Sequence, residues 1–82
     1  MRLDKYLKVS RLIKRRTIAN EACDAGRIFV NGRVARASYE IKEGDLIEIQ
    51  MGAKPLTVKV IKVSEVVRKE EAESQYQVIS NG

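Results

Sequence analysis

The chain opens with two runs in which apolar residues recur at helical spacing. The first covers residues 3–9, and one of its faces carries Leu3, Tyr6, Leu7 and Ser10. The second covers residues 14–25, with Gly26 as a left-handed C-terminal stop and Ser10 or Thr17 as the candidate cap. The side chains expected to face inward from the second helix are Ile18, Ala19, Ala22, Cys23 and Ala25.

After Gly26 the pattern changes to short runs of β-branched residues separated by turn residues. Residues 27–30 and 33–35 flank Asn31-Gly32, a pair typical of a type I′ hairpin turn because both positions need positive φ. The further elements are expected in the order turn 42–45, strand 46–49, turn 52–55, strand 57–63, helical segment 68–74 and strand 76–79. The pattern as a whole predicts an α+β fold.

Length and composition fit one compact domain. The 82 residues leave no room for a second core, and 44% apolar with 33% charged residues is ordinary for a folded chain. No apolar run approaches the roughly 18 residues that a membrane span needs. No apolar segment follows the N-terminal cations, as a signal peptide would require. We therefore expect a cytoplasmic monomer with no membrane partner.

The residue types that most enzymes use are missing. The sequence has no histidine and one cysteine, Cys23, which excludes an intrachain disulfide. Without histidine, the chain lacks the commonest metal ligand and the commonest general base of a nucleophile–base pair. Cys23 lies among alanines and is expected to be a small buried apolar residue. We expect no enzyme activity, no metal and no cofactor.

Positive charge is concentrated in the first 36 residues. That stretch carries a net +7, whereas the remaining 46 residues carry a net −2. A folded basic surface predicts a polyanionic partner, which for a small chain is usually nucleic acid. The triplet Lys14-Arg15-Arg16 stands where a helix begins, and cations there oppose the helix dipole unless a bound phosphate reverses the balance. A solvated basic turn is the alternative explanation of the triplet.

Several short motifs occur in an order that is typical of one family. Arg-Leu-Asp at 2–4, Arg-Arg at 15–16, Ala-Gly at 25–26, Val-Asn-Gly at 30–32 and Gly-Asp at 44–45 resemble the alpha-L RNA-binding domain, named after ribosomal small-subunit protein four. The resemblance covers residues 1–51. It implies two helices packed on a small bent antiparallel sheet, with RNA bound on the helices and hairpin. Residues 52–82 would be a strand-helix-strand extension of the same domain.

The charge pattern and the resemblance together define candidate RNA-binding residues. The resemblance implies that Arg2, Asp4 and residues 14–16 lie on the RNA surface, with Asn31 beside them. Asp4 would repel phosphate, so we expect it to orient a cation such as Arg2 or Lys8. The alternatives are that it complements the start of the helix or accepts a hydrogen bond from a base or a ribose 2′-OH. Asn31 is needed for the geometry of the turn, and the sequence does not decide whether it also contacts RNA. The predicted set is Arg2, Asp4, Lys5, Lys8, Arg11, Lys14, Arg15, Arg16, Asn31, Arg33 and Arg36.

Few aromatic side chains are available to stack on bases. They are Tyr6, Phe29, Tyr39 and Tyr76. Tyr6 shares the apolar face of the first helix and is expected in the core. We therefore expect recognition through RNA shape and backbone, with little readout of bases.

The whole chain is similar to small factors of ribosome-associated quality control, which are related to the fifteen-kilodalton ribosome-associated heat-shock proteins. The resemblance implies binding to obstructed large ribosomal subunits through rRNA and peptidyl-tRNA. It also implies support of C-terminal tailing of the stalled chain by a partner, a nascent-chain tailing factor on the same subunit. The alternatives are a heat-shock-type factor that recycles free large subunits carrying a nascent chain, an RNA-guiding domain of a modification enzyme, and a basic protein-interaction module. The −2 balance after residue 36 argues against the basic tail of the heat-shock relatives.

Overall fold

The computed structural model describes residues 1–80, and its elements follow the predicted order. The helices are α1 (Leu3–Val9) and α2 (Arg16–Asp24), with a 3₁₀ helix over Lys69–Gln75. The strands are β1 (Ile28–Val30), β2 (Arg33–Val34), β3 (Leu46–Ile49), β4 (Leu56–Val60) and β5 (Tyr76–Ser80). They form one antiparallel sheet in the order β2-β1-β3-β4-β5. The α+β fold class is confirmed.

The core lies between the two α-helices and one face of the sheet. Strand register places Ile47 opposite Val30 and Val58, and all three side chains are buried. They pack in one cluster with Leu3, Tyr6 and Leu7 of α1 and with the buried stripe of α2. Side chains alternate between the two faces of a strand, so the intervening residues point to the other face of the sheet. The helices therefore cover only one side of the sheet.

The second helix is shorter than predicted, and two side chains expected inside lie outside. Its N-cap is Arg15, with no side-chain hydrogen bond from Ser10 or Thr17. The buried stripe consists of Ala19, Ala22 and Cys23. Ile18 is 39% exposed, because the residue beside a stripe is rotated from it by about 100°. Ala25 is exposed because it lies beyond the last helical residue.

Two positive-φ sites end α2 and form the hairpin as the sequence predicts. Gly26 has φ +73°, and its N–H donates to Cys23 O at 3.0 Å, while the next N–H donates to Ala22 O at 3.0 Å. This pair of bonds is the Schellman pattern, which satisfies carbonyls at a helix end. Asn31 and Gly32 have φ +53° and +85°, as a type I′ turn requires. These local predictions are confirmed.

The C-terminal part pairs with the sheet but differs from the prediction in detail. β4 ends at Val60, not at residue 63, because the amides of Ile61 and Lys62 both donate to Gln75 O, at 2.9 and 3.0 Å. The segment before β5 is a 3₁₀ helix. The sheet continues from β3 to β4 across residue 51. The division of the chain at that residue stays a prediction.

Candidate nucleic-acid interface

The starts of α1 and α2 lie together around one carboxylate. Arg2 is the N-cap of α1, and Arg16 is the first residue of α2. Arg2 Nε and Nη2 donate to Asp4 Oδ1 and Oδ2 at 3.2 and 3.4 Å. Arg16 Nε lies 3.3 Å from Oδ2, and its Nη2 donates to Oδ1 at 3.4 Å. Asp4 therefore holds two arginines from separate helices in bidentate pairs.

Asp4 lies beneath the surface and not on it, which corrects the position that the resemblance implied. The residue is 2% exposed, and it also accepts hydrogen bonds from Asn20 Nδ2 at 3.3 Å and from the backbone N–H of Lys5 at 2.8 Å. Burial by itself acts to raise the pKa of this carboxyl. The hydrogen bonds from Arg16, Asn20 and Lys5 outweigh burial and lower the pKa below its usual 3.8. Asp4 is therefore ionised and orients cations, of which Arg2 was expected and Arg16 was not.

The paired arginines keep donors for a ligand. Their side chains are 52% (Arg2) and 47% (Arg16) exposed, whereas that of Asp4 is 3% exposed. A guanidinium has about five N–H donors, of which Arg2 uses two in hydrogen bonds to Asp4 and Arg16 uses one, with its Nε also within ion-pair distance. The remaining donors face solvent in a fixed orientation. Fixed guanidinium groups of this kind match phosphate oxygens well.

Further cations border the Arg2–Asp4–Arg16 cluster. Arg36 and Arg2 line one cleft together with Asn20. Arg15, the N-cap of α2, is exposed next to Arg16. Asn20 was missed in the sequence, although it lies four positions after Arg16 on a helix and therefore shares its face.

A second group of cations lines a cleft at the other end of α1. Lys8, Arg11 and Lys14 border this cleft opposite residues 65–67. Arg11 has φ +63°, a left-handed conformation that costs a non-glycine residue about 1–3 kcal/mol. Its N–H donates to Lys8 O at 3.0 Å as the chain leaves the helix. The tertiary structure therefore places these three cations apart from the Arg2–Asp4–Arg16 cluster.

Lys5 is engaged within the protein. Its Nζ donates to Glu65 Oε2, in an ion pair between α1 and the segment after β4. The hydrogen bond from Lys5 is the main cause of a lowered pKa for the Glu65 carboxyl. Because an acid already neutralises Lys5, this cation is less available to phosphate than Arg2 or Arg16.

Asn31 also has an internal role. Its Nδ2 donates to Asp45 Oδ1 at 3.1 Å, and its Oδ1 accepts from the N–H of Leu46 at 3.0 Å. The amide thus ties the hairpin turn to the start of β3. Arg33, by contrast, is exposed on β2 and lines a cleft beside the turn.

The remaining candidate groups are inert or occupied. Cys23 is 3% exposed, and burial, with smaller contributions from Asp4 and Asp24, raises the pKa of its thiol to about 11. Such a thiol is not a nucleophile at neutral pH. Within residues 1–80, no His, Cys, Asp or Glu cluster is arranged to hold a metal ion. Neither α1 nor α2 has the length of a membrane span.

Comparison with known proteins agrees with this geometry. The sequence model of the S4 domain family matches residues 1–47. A Halalkalibacterium halodurans protein named RQC P-site tRNA stabilizing factor is 60% identical over 78 residues, covering 95% of this chain and 89% of that protein. A Streptococcus pneumoniae protein of the same name is 54% identical over 80 residues, covering 98% and 91%. The trimeric structure of Vibrio cholerae heat shock protein 15 has a TM-score of 0.90 at 30% identity, covering 98% of this chain and 82% of that one.

The chain therefore belongs to the S4 domain family, the class that its helix pair, hairpin and basic site define. At 54% and 60% identity over almost its whole length, it falls among the relatives named RQC P-site tRNA stabilizing factor. The resemblance found in the sequence is confirmed.

Proposed function

We propose that this chain is a non-catalytic RNA-binding factor of ribosome-associated quality control. It binds obstructed large ribosomal subunits through rRNA and peptidyl-tRNA. By holding the tRNA in place, it supports C-terminal tailing of the stalled nascent chain by a partner factor. It acts in the cytoplasm as a monomer. The name of its relatives, which refers to P-site tRNA, supports this role.

The observation that carries the proposal is the cluster of Arg2, Asp4 and Arg16. Two guanidinium groups from two helices are oriented by one buried carboxylate before any ligand arrives. The side-chain ordering that phosphate binding needs is therefore largely complete in the free protein, which favours affinity. Stabilising a tRNA requires binding and no chemical step. Arg2 and Arg16, which Asp4 orients in advance, form a phosphate clamp that provides this binding.

The test compares Arg2→Ala and Arg16→Ala with Arg68→Ala in binding to purified large ribosomal subunits. Arg68 is a matched control because its side chain is 79% exposed and it lies in the C-terminal part of the chain. All three variants lose one positive charge. Each lost phosphate contact should flatten the slope of log affinity against log salt concentration by about 0.7–0.9. We expect this change for Arg2→Ala and Arg16→Ala only.

Two outcomes would overturn the proposed interface. The first is an equal loss of affinity in Arg16→Ala and Arg68→Ala, since net charge alone would then explain binding. The second is a complex that survives ribonuclease digestion, which would favour the basic protein-interaction module. Thermal unfolding of each variant shows whether the fold is intact.

A second measurement addresses the cellular step. Large subunits that carry peptidyl-tRNA should retain the tRNA longer with the wild-type chain than with Arg16→Ala. The C-terminal tails added to the stalled chain should also be longer with the wild type. A heat-shock-type recycling factor is the second candidate, because the fold superposes on heat shock protein 15 with a TM-score of 0.90. Such a factor would release subunits without any effect on tail length. The higher identity to the RQC factors favours the first role.

A further inference from the structure

One exposed aromatic residue, Tyr39, lies next to the candidate interface. Tyr6 is fully buried, and its hydroxyl donates to Gln75 O at 2.7 Å. Phe29 and Tyr76 are partly buried in the sheet. Tyr39 is 39% exposed and belongs to the segment between β2 and β3. It is the most exposed of the aromatic residues in the described chain.

The backbone of Tyr39 is fixed to the first turn of α1. Its carbonyl accepts a 2.7 Å hydrogen bond from Leu3 N–H, and its own N–H donates to Arg36 O at 3.0 Å. The next residue, Glu40, forms a β-bridge with Arg2. The backbone of Tyr39 is therefore fixed beside that of Arg2. A ligand that covers the ring has to immobilise only the rotation of the side chain, which keeps the entropic cost small.

The cleft that Tyr39 lines has the chemistry of a base-binding site. Its other walls come from the β1–β2 hairpin, where Val34 is 59% exposed and Arg33 is exposed. A flat ring with an aliphatic neighbour accepts the face of a nucleobase, and a nearby guanidinium can pair with the adjoining phosphate. Bases within a duplex are stacked on one another and cannot present a free face. The ligand must therefore be an unpaired, extruded base.

We propose that Tyr39 stacks on an unpaired nucleobase of the bound RNA, while Arg33 contacts the phosphate beside it. This inference rests on the proposed function and deepens it, because it adds a base contact to the phosphate clamp at Arg2 and Arg16. It adds a base contact to the expectation from the sequence, which was recognition through RNA shape and backbone with little readout of bases. The protein then prefers RNA with an extruded nucleotide to a plain duplex.

The first experiment measures affinity for large ribosomal subunits carrying peptidyl-tRNA, as a function of salt, for the wild type, Tyr39→Phe, Tyr39→Leu and Arg16→Ala. Loss of one base–aromatic stack should weaken binding by Tyr39→Leu about 5- to 150-fold. The salt slope should not change, because no phosphate contact is lost. Tyr39→Phe keeps the ring and should bind like the wild type.

The outcomes separate the two proposals. If Tyr39→Leu binds like the wild type while Arg16→Ala is weak, the stack is refuted and the proposed function stands. If Tyr39→Phe is as weak as Tyr39→Leu, the hydroxyl and not the ring is responsible, and the stack is again refuted. If Arg16→Ala and Tyr39→Leu both match the wild type, both proposals fail.

A second measurement does not depend on the folding of Tyr39→Leu. The chain has no tryptophan, so Tyr39→Trp introduces a single tryptophan, whose emission can be excited separately from that of the remaining tyrosines. Its emission should be quenched by a single-stranded oligouridylate and much less by a blunt RNA duplex of equal length. Val78→Trp is the control, because Val78 is 50% exposed on β5, at the edge of the sheet opposite β2. Equal quenching at both positions, or none at position 39, would overturn the stack.

Discussion

The Arg2–Asp4–Arg16 cluster predicts that one substitution, Asp4→Asn, weakens RNA binding although it makes the protein more positive. Asp4→Asn removes one negative charge from a protein that binds a polyanion, so net charge alone predicts tighter binding. The structure predicts weaker binding, because the asparagine amide cannot hold two guanidinium groups in bidentate pairs.

The size of the effect follows from the two opposing contributions. Re-ordering two freed arginine side chains on binding costs about 0.5–1.5 kcal/mol each, or about 1–3 kcal/mol together. Removing the carboxylate relieves about 1.2 kcal/mol of repulsion with a phosphate about 7 Å away, at an effective dielectric constant of about 40, between that of water and that of charge pairs near a protein surface. The net loss is therefore at most about 2 kcal/mol, which corresponds to binding up to about 30-fold weaker.

The assay is equilibrium binding to large ribosomal subunits at constant salt, with thermal unfolding to verify the fold. Glu43→Gln is the matched control, since it makes the same charge change in an exposed turn. We expect this control to bind like the wild type or slightly more tightly. Binding by folded Asp4→Asn that is tighter than that of the control would refute preorganisation of the arginines by Asp4.

Two further predictions concern stability. The pKa of Asp4 in the folded state lies below 3.8, so as the pH falls the unfolded state takes up this proton first. The contribution of Asp4 to the free energy of unfolding is therefore complete above about pH 4. It is lost as the pH drops through the folded-state pKa. The urea midpoint of the wild type should therefore fall more steeply below pH 4 than that of Asp4→Asn, and identical curves would contradict the assignment. Tyr6→Phe should lower the free energy of unfolding by only about 0.5–1.5 kcal/mol, because Gln75 O keeps its bonds from two backbone amides. If chemical denaturation shows that Tyr6→Phe loses about 3 kcal/mol or more of its free energy of unfolding, the two backbone amides do not satisfy Gln75 O and the prediction is wrong.

Local features of this protein were predictable from the sequence. Gly26 and the Asn31-Gly32 pair required positive φ, and only a few residue types adopt it readily. The apolar spacing in α1 and the alternation in the strands depend on neighbours a few residues away. The start of α2 was less predictable, because Arg15 caps this helix without any side-chain hydrogen bond that a motif could reveal.

The make-up of the site was decided by the tertiary structure. The sequence showed every candidate cation, but it did not show which of them the fold brings together. Arg2 and Arg16 meet because α1 packs against α2 and buries Asp4 between them, whereas Glu65 engages Lys5 from a segment 60 positions away.

The periodicity of α1 predicted that Tyr6 is buried, but no pattern along the chain indicated that Tyr39 is exposed. Periodicity and turn propensity act over a few residues and can be read along the chain. Ion pairs, and the exposure of residues between regular elements, depend on which distant segments the fold brings together, and a single sequence does not show that.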